Sequence, residues 1–443
     1  MKKLIYLLLI SYCLCSCDKD FLNTKPNQEL LIPHKISDLQ ALLDNTAIMN
    51  TSPALNMIAD DDAYVTADGL ASFRTAPERN LYIWKENPYE GAVIFDWRNL
   101  YQQIFYANVV LDNLVRIGDE QIQKDDYKLV KGSGLFFRAM GHYHLAQQFC
   151  KAYSSNAEQD LGIPLRLNSN VTEPYKRANL QQTYEQILND LLLAKDLLPK
   201  VYFYKSRPSK AAALALLAKV SLSMGAYQKA MDYADQCLQI NGKLINFNTL
   251  VLTSNAPFPE TLPFGNEEII LYTNPSVLSF VGSSQFRIDT ALYQTYNVND
   301  LRKQAFFRVR GVNHYTFKGY QGINIPEMYL IRAEVNARNG DVGAALSDLN
   351  VLMQSRWRAG TTFVPIVSNA DHILQTVLSE RRKELVQKGG RWFDLKRLNF
   401  NFLTQKVLTR TLGGDVFTLA PNDAKYVFPI PDEEVIRSGI LQN

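Results

Sequence analysis

Three consecutive carboxylates, Asp60-Asp61-Asp62, are of a type that could cleave a glycosidic bond or hold a calcium ion. Adjacent side chains do not automatically face one another, however, and the glycine and terminal glutamate of an EF-hand loop do not follow them. They read instead as a solvated loop or the start of a helix. His142 and His144 are two apart in an expected helix, so their rings diverge and make a poor chelate. A core or interface pair is the plainer assignment. The cysteines show no metal-ligand spacing, and no Gly-x-Ser-x-Gly elbow, phosphate-binding loop or dinucleotide glycine pattern is present. Strand and helix do not alternate as a hydrolase barrel requires. The expectation is therefore no catalytic residue, no metal site and no cofactor.

One residue is placed for a covalent modification. Met1-Lys2-Lys3 precedes an apolar run from Leu4 to Leu14, which is followed by Cys15-Ser16-Cys17. This is the layout of a secretory signal, and a run of about 11 residues is short of the ~20 that span a bilayer. Leu14-Cys15-Ser16-Cys17 resembles the lipobox of bacterial lipoproteins, in which the last cysteine accepts lipid and the bond before it is cut. Cys13 and Cys15 lack the small preceding residue, so only Cys17 fits. An ordinary signal with incidental cysteines is the competing reading. Residues 1–16 are thus expected to be a lipoprotein signal peptide, and residues 17–443 a single domain. Removing Lys2 and Lys3 takes the formal charge from +3 to +1, which gives no electrostatic case for a nucleic-acid partner. Cys150 and Cys237 could form a disulfide in an exported protein, but two buried free thiols are expected. No later stretch is long and apolar enough to span a bilayer, so beyond its lipid the chain should be soluble.

The elements that must position side chains are mainly helical. Residues 18–33 read as an extended leader, and Ser37 could cap a helix through Leu43. Residues 50–92 are rich in turn signals. Trp97, Leu100, Tyr101, Ile104, Asn108 and Leu111 recur at spacings of three and four and predict a long helix over 95–115. Two segments, Ser223–Ala234 after the helix 209–222 and Asn339–Leu349 after the helix 326–338, resemble the turn and second helix of a tetratricopeptide repeat. Phe136–Lys151 and Thr183–Leu198 suggest another hairpin with an insertion. Two matches so far apart do not make a tandem array, and simple amphipathic hairpins would give the same pattern. Between them, residues 241–325 are broken by Pro257, Pro259, Pro263, Gly265, Pro275, Gly282, Gly311, Gly319 and Gly322. They predict an irregular insertion with short strands, of the kind that carries binding residues.

The C-terminal quarter holds Ser379-Glu380-Arg381-Arg382-Lys383-Glu384-Leu385, then Gly389-Gly390-Arg391-Trp392-Phe393-Asp394-Leu395-Lys396-Arg397, and later Phe428-Pro429-Ile430-Pro431-Asp432-Glu433-Glu434. The residues themselves indicate a scaffold. An apolar stripe through Ile373, Leu374, Val377, Leu378 and Leu385 is stopped by Gly389-Gly390. Glu380 and Glu384 can pair on one helix face with Arg381, Arg382 or Lys388. Trp392 and Phe393 read as core anchors, and an internal ion-pair network outweighs catalysis.

This string, with the Trp97–Asn108 helix, the separated hairpins and the leader Asp20-Phe21-Leu22, resembles the SusD/RagB family of nutrient-binding lipoproteins of Bacteroidetes. The resemblance spans essentially all of residues 17–443. It implies a mainly α SusD-like fold with tetratricopeptide-like hairpins and a loop-rich insertion with short strands. It further implies non-catalytic capture of an oligosaccharide at the cell surface, as the lid of a SusC-like TonB-dependent outer-membrane transporter. The acidic flank Asp18–Asp20 resembles the surface-export signal of such lipoproteins, with Cys17 as the lipid anchor. The ligand face would draw on segments 50–95 and 241–325, with Asp62, Tyr64, Arg74, Trp84, Tyr89, Phe264, Tyr272, Phe286, Arg287 and Tyr315 as candidates. Aromatic faces stack on sugar rings while arginine and aspartate bond the hydroxyls, and Trp84 stands first because it lies among turn signals. An oligopeptide cargo, as in RagB-like members, and a surface glycoside hydrolase are the alternatives.

Overall fold

The computed structural model describes residues 35–117, 124–259 and 265–443. The N-terminal signal, Cys17, the leader and Phe264 lie outside the described residues.

Nine helices form the frame: α1 Phe95–Leu114, α2 Asp125–Phe149, α3 Leu180–Leu197, α4 Lys210–Ser223, α5 Tyr227–Ile240, α6 Ile325–Arg338, α7 Val342–Arg356, α8 Ile373–Glu384 and α9 Arg391–Leu398. From α1 to α7 each packs on the next, and α8 returns onto α6. The separated hairpins thus do form one continuous array in space, because α5 and α6 meet across the 84-residue segment between them. α4 lies at its centre, with Ala211 to Ala218 buried without interruption. A helix apolar on every side belongs inside.

Local chemistry sets the boundaries. Ser209 and Asn324 side chains cap α4 and α6, accepting from Ala212 N at 3.3 Å and Glu327 N at 3.1 Å. Gly225 and Gly340 follow α4 and α6 with φ of +71° and +81°, a conformation only glycine adopts cheaply. Gly141 serves a different need: a Cβ there would come within 2.7 Å of Ile104, so its absence lets α1 and α2 touch. Ser37 does not cap the first helix, which begins at Ile36. Asp38 takes that role by accepting the Lys35 N–H at 3.3 Å.

The strands are short and pair over long separations. β1 (Thr51–Ser52) runs parallel to β6 (Asn274–Pro275), and β2 (Ala63–Tyr64) is antiparallel to β7 (Arg287–Ile288). β3 (Leu161–Pro164) pairs β4 (Arg177–Asn179), and β5 (Ile269–Leu271) pairs β10 (Ile323–Asn324). β8 (Phe307–Gly311) with β9 (His314–Phe317), and β11 (Leu408–Leu412) with β12 (Asp415–Leu419), are hairpins. The insertion has its own aromatic core, in which Phe258 contacts Phe247 at 5.4 Å and Tyr320 at 5.0 Å. The larger core runs from Leu39 to Ile440.

His142 is fully buried in α2, and Cys150 and Cys237 are buried free thiols. No helix among the described residues is long and apolar enough to cross a membrane.

The ion-pair network exists, but apart from Lys383 beside Glu380 the partners of Glu380, Arg381 and Glu384 come from distant elements rather than from helix neighbours. Glu384 binds Arg302 at 3.2 Å and Arg356 at 2.9 Å, and Arg356 also binds Glu268 at 2.8 Å, all four side chains being fully buried. Glu380 takes Arg302 at 2.8 Å, with Lys383 on its other oxygen. Arg381 bridges Glu327 and Asp394, at 2.9 and 2.8 Å. Helix-surface pairing would leave these groups in water, whereas burial demands full compensation from several elements.

Candidate ligand-binding face

The loop after the short helix Leu55–Ala59 begins with the three aspartates, and it is neither solvated nor a helix start. Arg391 reaches Asp61 through Nε at 2.6 Å and Nη2 at 3.1 Å, and Lys406 binds the same carboxylate at 2.7 Å. Arg382 donates to Asp62 Oδ1 at 3.0 Å and to the Asp61 carbonyl at 2.5 Å, and Gln387 N donates to Asp62 Oδ2 at 3.2 Å. Burial opposes ionisation of Asp61, but Arg391 and Arg382 overcome it and hold the carboxyl well below the usual range. Burial pushes Asp60 well above that range, and the charge of Asp62 adds to the effect. For Asp62 burial also prevails, over the pull of Arg382. The C-terminal motif therefore clamps this loop from beneath. Among the described residues no group of three His, Cys, Asp or Glu side chains is arranged to hold a metal ion.

β2 emerges directly from the clamp. The Asp62 carbonyl accepts from Asp289 N at 2.9 Å, and Tyr64 stands opposite Arg287 in the ladder. Tyr64 OH donates to the Asn313 carbonyl at 2.6 Å, which pins the tip of the β8–β9 hairpin. His314 Nε2 contacts the Ser284 carbonyl oxygen at 2.7 Å. Tyr315 stacks on Tyr293 at 3.6 Å, and Lys303 Nζ lies 4.8 Å from the centre of the Tyr293 ring. Phe286 packs on Phe280, which meets Phe73, and the next residue, Arg74, donates its N–H to Ser279 Oγ at 3.0 Å. Glu78 secures the same place by accepting from Ser279 Oγ at 2.8 Å and Phe280 N at 3.1 Å.

Tyr64, Arg74, Phe286, Arg287 and Tyr315 thus gather on one cluster of loops. Arg74 is exposed there, Tyr64 and Arg287 are partly exposed, and Val309 and Val312 stand open at the hairpin, whereas Phe286 and Tyr315 are buried beneath the surface and support it rather than offering a face to a ligand. No ion pair engages Arg74, Arg287 or Arg310 among the described residues; Arg287 Nε is itself buried without a partner, so only the terminal guanidinium nitrogens of that residue could serve a ligand. Such a face can hydrogen-bond hydroxyls through its arginines, and Tyr64, with the exposed valines, can cover the apolar side of a ring.

The other candidates lie elsewhere. Asp62 belongs to the clamp. Trp84 is buried, and its indole N–H donates to the Ala59 carbonyl at 2.9 Å. Arg410 lies 4.5 Å from its ring and 3.9 Å from that of Tyr82, so Trp84 has no open face for a sugar. Turn residues surround Trp84 in sequence without exposing it, because the β11–β12 hairpin folds over it. Arg410 itself donates to the Tyr82 and Asp60 carbonyls, and burial pushes its guanidinium down to about 10. Tyr89 is buried with its OH on the Pro429 carbonyl at 2.8 Å, beside a separate cleft of about 850 Å³. Tyr272 is partly buried, and its main chain is bonded by Asn50 and to Lys205. Sequence reasoning missed Tyr293, Lys303 and Asn313. Only the unexpected hairpin turn at Gly311–His314 could have pointed to them.

Two family models match the sequence. A SusD-like model, described as starch-binding and associating with the outer membrane, covers residues 20–222, and the SusD family model covers residues 307–443. SusD-like protein P2 of Formosa agariphila is 24% identical, over 91% of each chain. A SusD superfamily protein from Bacteroides vulgatus superposes with a TM-score of 0.75 at 20% identity, over 93% of this chain and 99% of that one. Surface glycan-binding protein A from Bacteroides uniformis superposes with a TM-score of 0.66 at 18% identity, over 92% and 99%.

Proposed function

The chain belongs to the SusD/RagB family, and from that membership we propose that it captures oligosaccharide at the cell surface without transforming it and passes it to a SusC-like TonB-dependent outer-membrane transporter. The observation that carries this reading is the loop cluster itself. A rigid ion-pair clamp holds Tyr64 and Arg287 side by side, while Arg74 and Arg287 keep donors free of any carboxylate. Binding needs such a preorganised polar and aromatic surface and nothing more. The relative whose name records glycan binding shares this fold. The lipid on Cys17 would hold the domain at the outer membrane, and the barrel would supply energy coupling.

Calorimetry against neutral and acidic glycans and a peptide panel, with chromatography of the products, tests the proposal. A glycan should bind and be recovered intact, and Arg287→Ala should weaken it by about tenfold, the loss of one charge-assisted hydrogen bond. Binding of peptides alone would move the cargo to the RagB-like alternative. Turnover of any panel member would overturn the non-catalytic reading. Failure to co-purify with a large β-barrel would overturn the lid role.

A further inference from the structure

The outward side of α1 forms one wall of a cleft of about 710 Å³, within the roughly 300–1,000 Å³ of ligand pockets. The loop around residues 166–175 and the short helix Asp432–Ser438 close it. It shares no residue with the loop cluster described above.

Its floor is aromatic and fixed in orientation. Trp97 meets Tyr101 at 4.8 Å, and Tyr101 OH donates to the Pro164 carbonyl at 2.9 Å. Glu434 accepts from Trp97 Nε1 at 3.4 Å and from the Tyr175 hydroxyl, so one carboxylate aligns two rings. Asn108 Nδ2 ties down the adjoining loop through the Arg166 and Asn168 carbonyls, at 2.9 and 3.1 Å. Arg166 then covers Tyr175 at 4.5 Å. These bonds satisfy the floor internally and leave ring surface facing the cleft.

The rim differs. Arg98, Gln102 and Phe105 follow at i, i+4 and i+7 along one face of α1, and all three are exposed, Phe105 by 37%. Val93 and Val171 are open on either side. An exposed phenylalanine flanked by exposed valines at the mouth of a built aromatic cleft is the kind of surface a ligand covers. Across the mouth, Glu433 and Arg437 pair with each other, so the rim carries both signs of charge and no field suited to a polyanion. Arginine, glutamine and glutamate present planar donor and acceptor pairs that match adjacent hydroxyls.

We propose that this cleft is a second carbohydrate site, taking a neutral sugar whose ring lies on Tyr101 and Phe105 and whose hydroxyls bond Arg98 and Gln102. The proposal rests on the carbohydrate reading above and extends it to a second point of attachment. Two sites on one rigid body hold a long chain more tightly than either alone, because the second contact forms within a complex already made.

The test titrates neutral gluco-oligosaccharides of increasing length into the wild-type domain, Phe105→Ala, Arg98→Ala, Arg287→Ala and the double variant Phe105→Ala/Arg287→Ala. Phe105 and Arg98 are exposed, so unchanged thermal melts are expected and serve as the folding control. Phe105→Ala and Arg98→Ala should each weaken binding of long oligosaccharides at least tenfold. Arg287→Ala should retain weak binding that the double variant loses. If an oligosaccharide binds and neither α1 variant changes its affinity by more than twofold, the second site is wrong while the proposed function stands. If no glycan of any length or charge binds, the carbohydrate reading falls and the second site with it.

Discussion

His142 lies inside α2 with neither ring nitrogen hydrogen-bonded among the described residues. Burial, with the nearby charge of Arg138, pushes its pKa down to about 3. The folded state therefore keeps the ring neutral, while the unfolded chain binds a proton near pH 6.5, so stability falls as pH drops through the window from about 6.5 to 3. At pH 5 the loss from this residue is about 2 kcal/mol relative to pH 7.5. Urea unfolding of His142→Leu at the two pH values should show a correspondingly smaller drop than wild type, and equal drops would refute the assignment. At this scale the sequence was only partly legible. The divergence of His142 and His144 and the scaffold role of the C-terminal motif followed from spacing. The burial of Trp84 did not, because the residue that covers it, Arg410, is 326 positions away. The aspartates were misjudged for the same reason: three adjacent carboxylates look hydrated until Arg382, Arg391 and Lys406 are brought beside them.

The helices were the most legible elements: α4 and α6 are marked by a capping side chain and a following glycine, α5 by its apolar period and α7 by its Asp341 cap. Strands of two or three residues have no period to detect, and β1, β2 and β7 exist only through their distant partners. The β11–β12 hairpin could have been read from the alternation on either side of Gly413-Gly414 and was not. What unites these elements is the charge network between α7, α8 and the insertion. Arg356 is fully buried against Glu268 and Glu384, and it also donates to the Ile245 carbonyl at 3.1 Å. Arg356→Ala leaves two buried carboxylates short of a partner and should destabilise the domain by ~3–5 kcal/mol in chemical denaturation. A loss below 1 kcal/mol would mean that water or Arg302 replaces it.

For the whole molecule, the helical array and loop-rich insertion were foreseeable, and the packing of α5 on α6 across that insertion was not. The anchor belongs to this scale as well. Cys17→Ser should leave the thermal melt of the domain unchanged and shift the protein from the membrane to the soluble fraction. Persistence with the outer membrane in cells lacking the transporter would refute the tether. The clamp beneath the ligand face has one more consequence, in time. Asn56 binds the Gly389 carbonyl, Asp62 meets Arg382, Asp61 meets Arg391, Tyr89 reaches Pro429 and Trp97 reaches Glu434. Every one of these early residues has its partner in the last sixty or so positions of the chain. Loops joining such distant segments close slowly, and here they cannot close at all until synthesis is nearly over. Residues 56–97 are thus made early and fastened late, so the part of the loop cluster that they support is completed only once the C-terminal quarter of the chain has been synthesised.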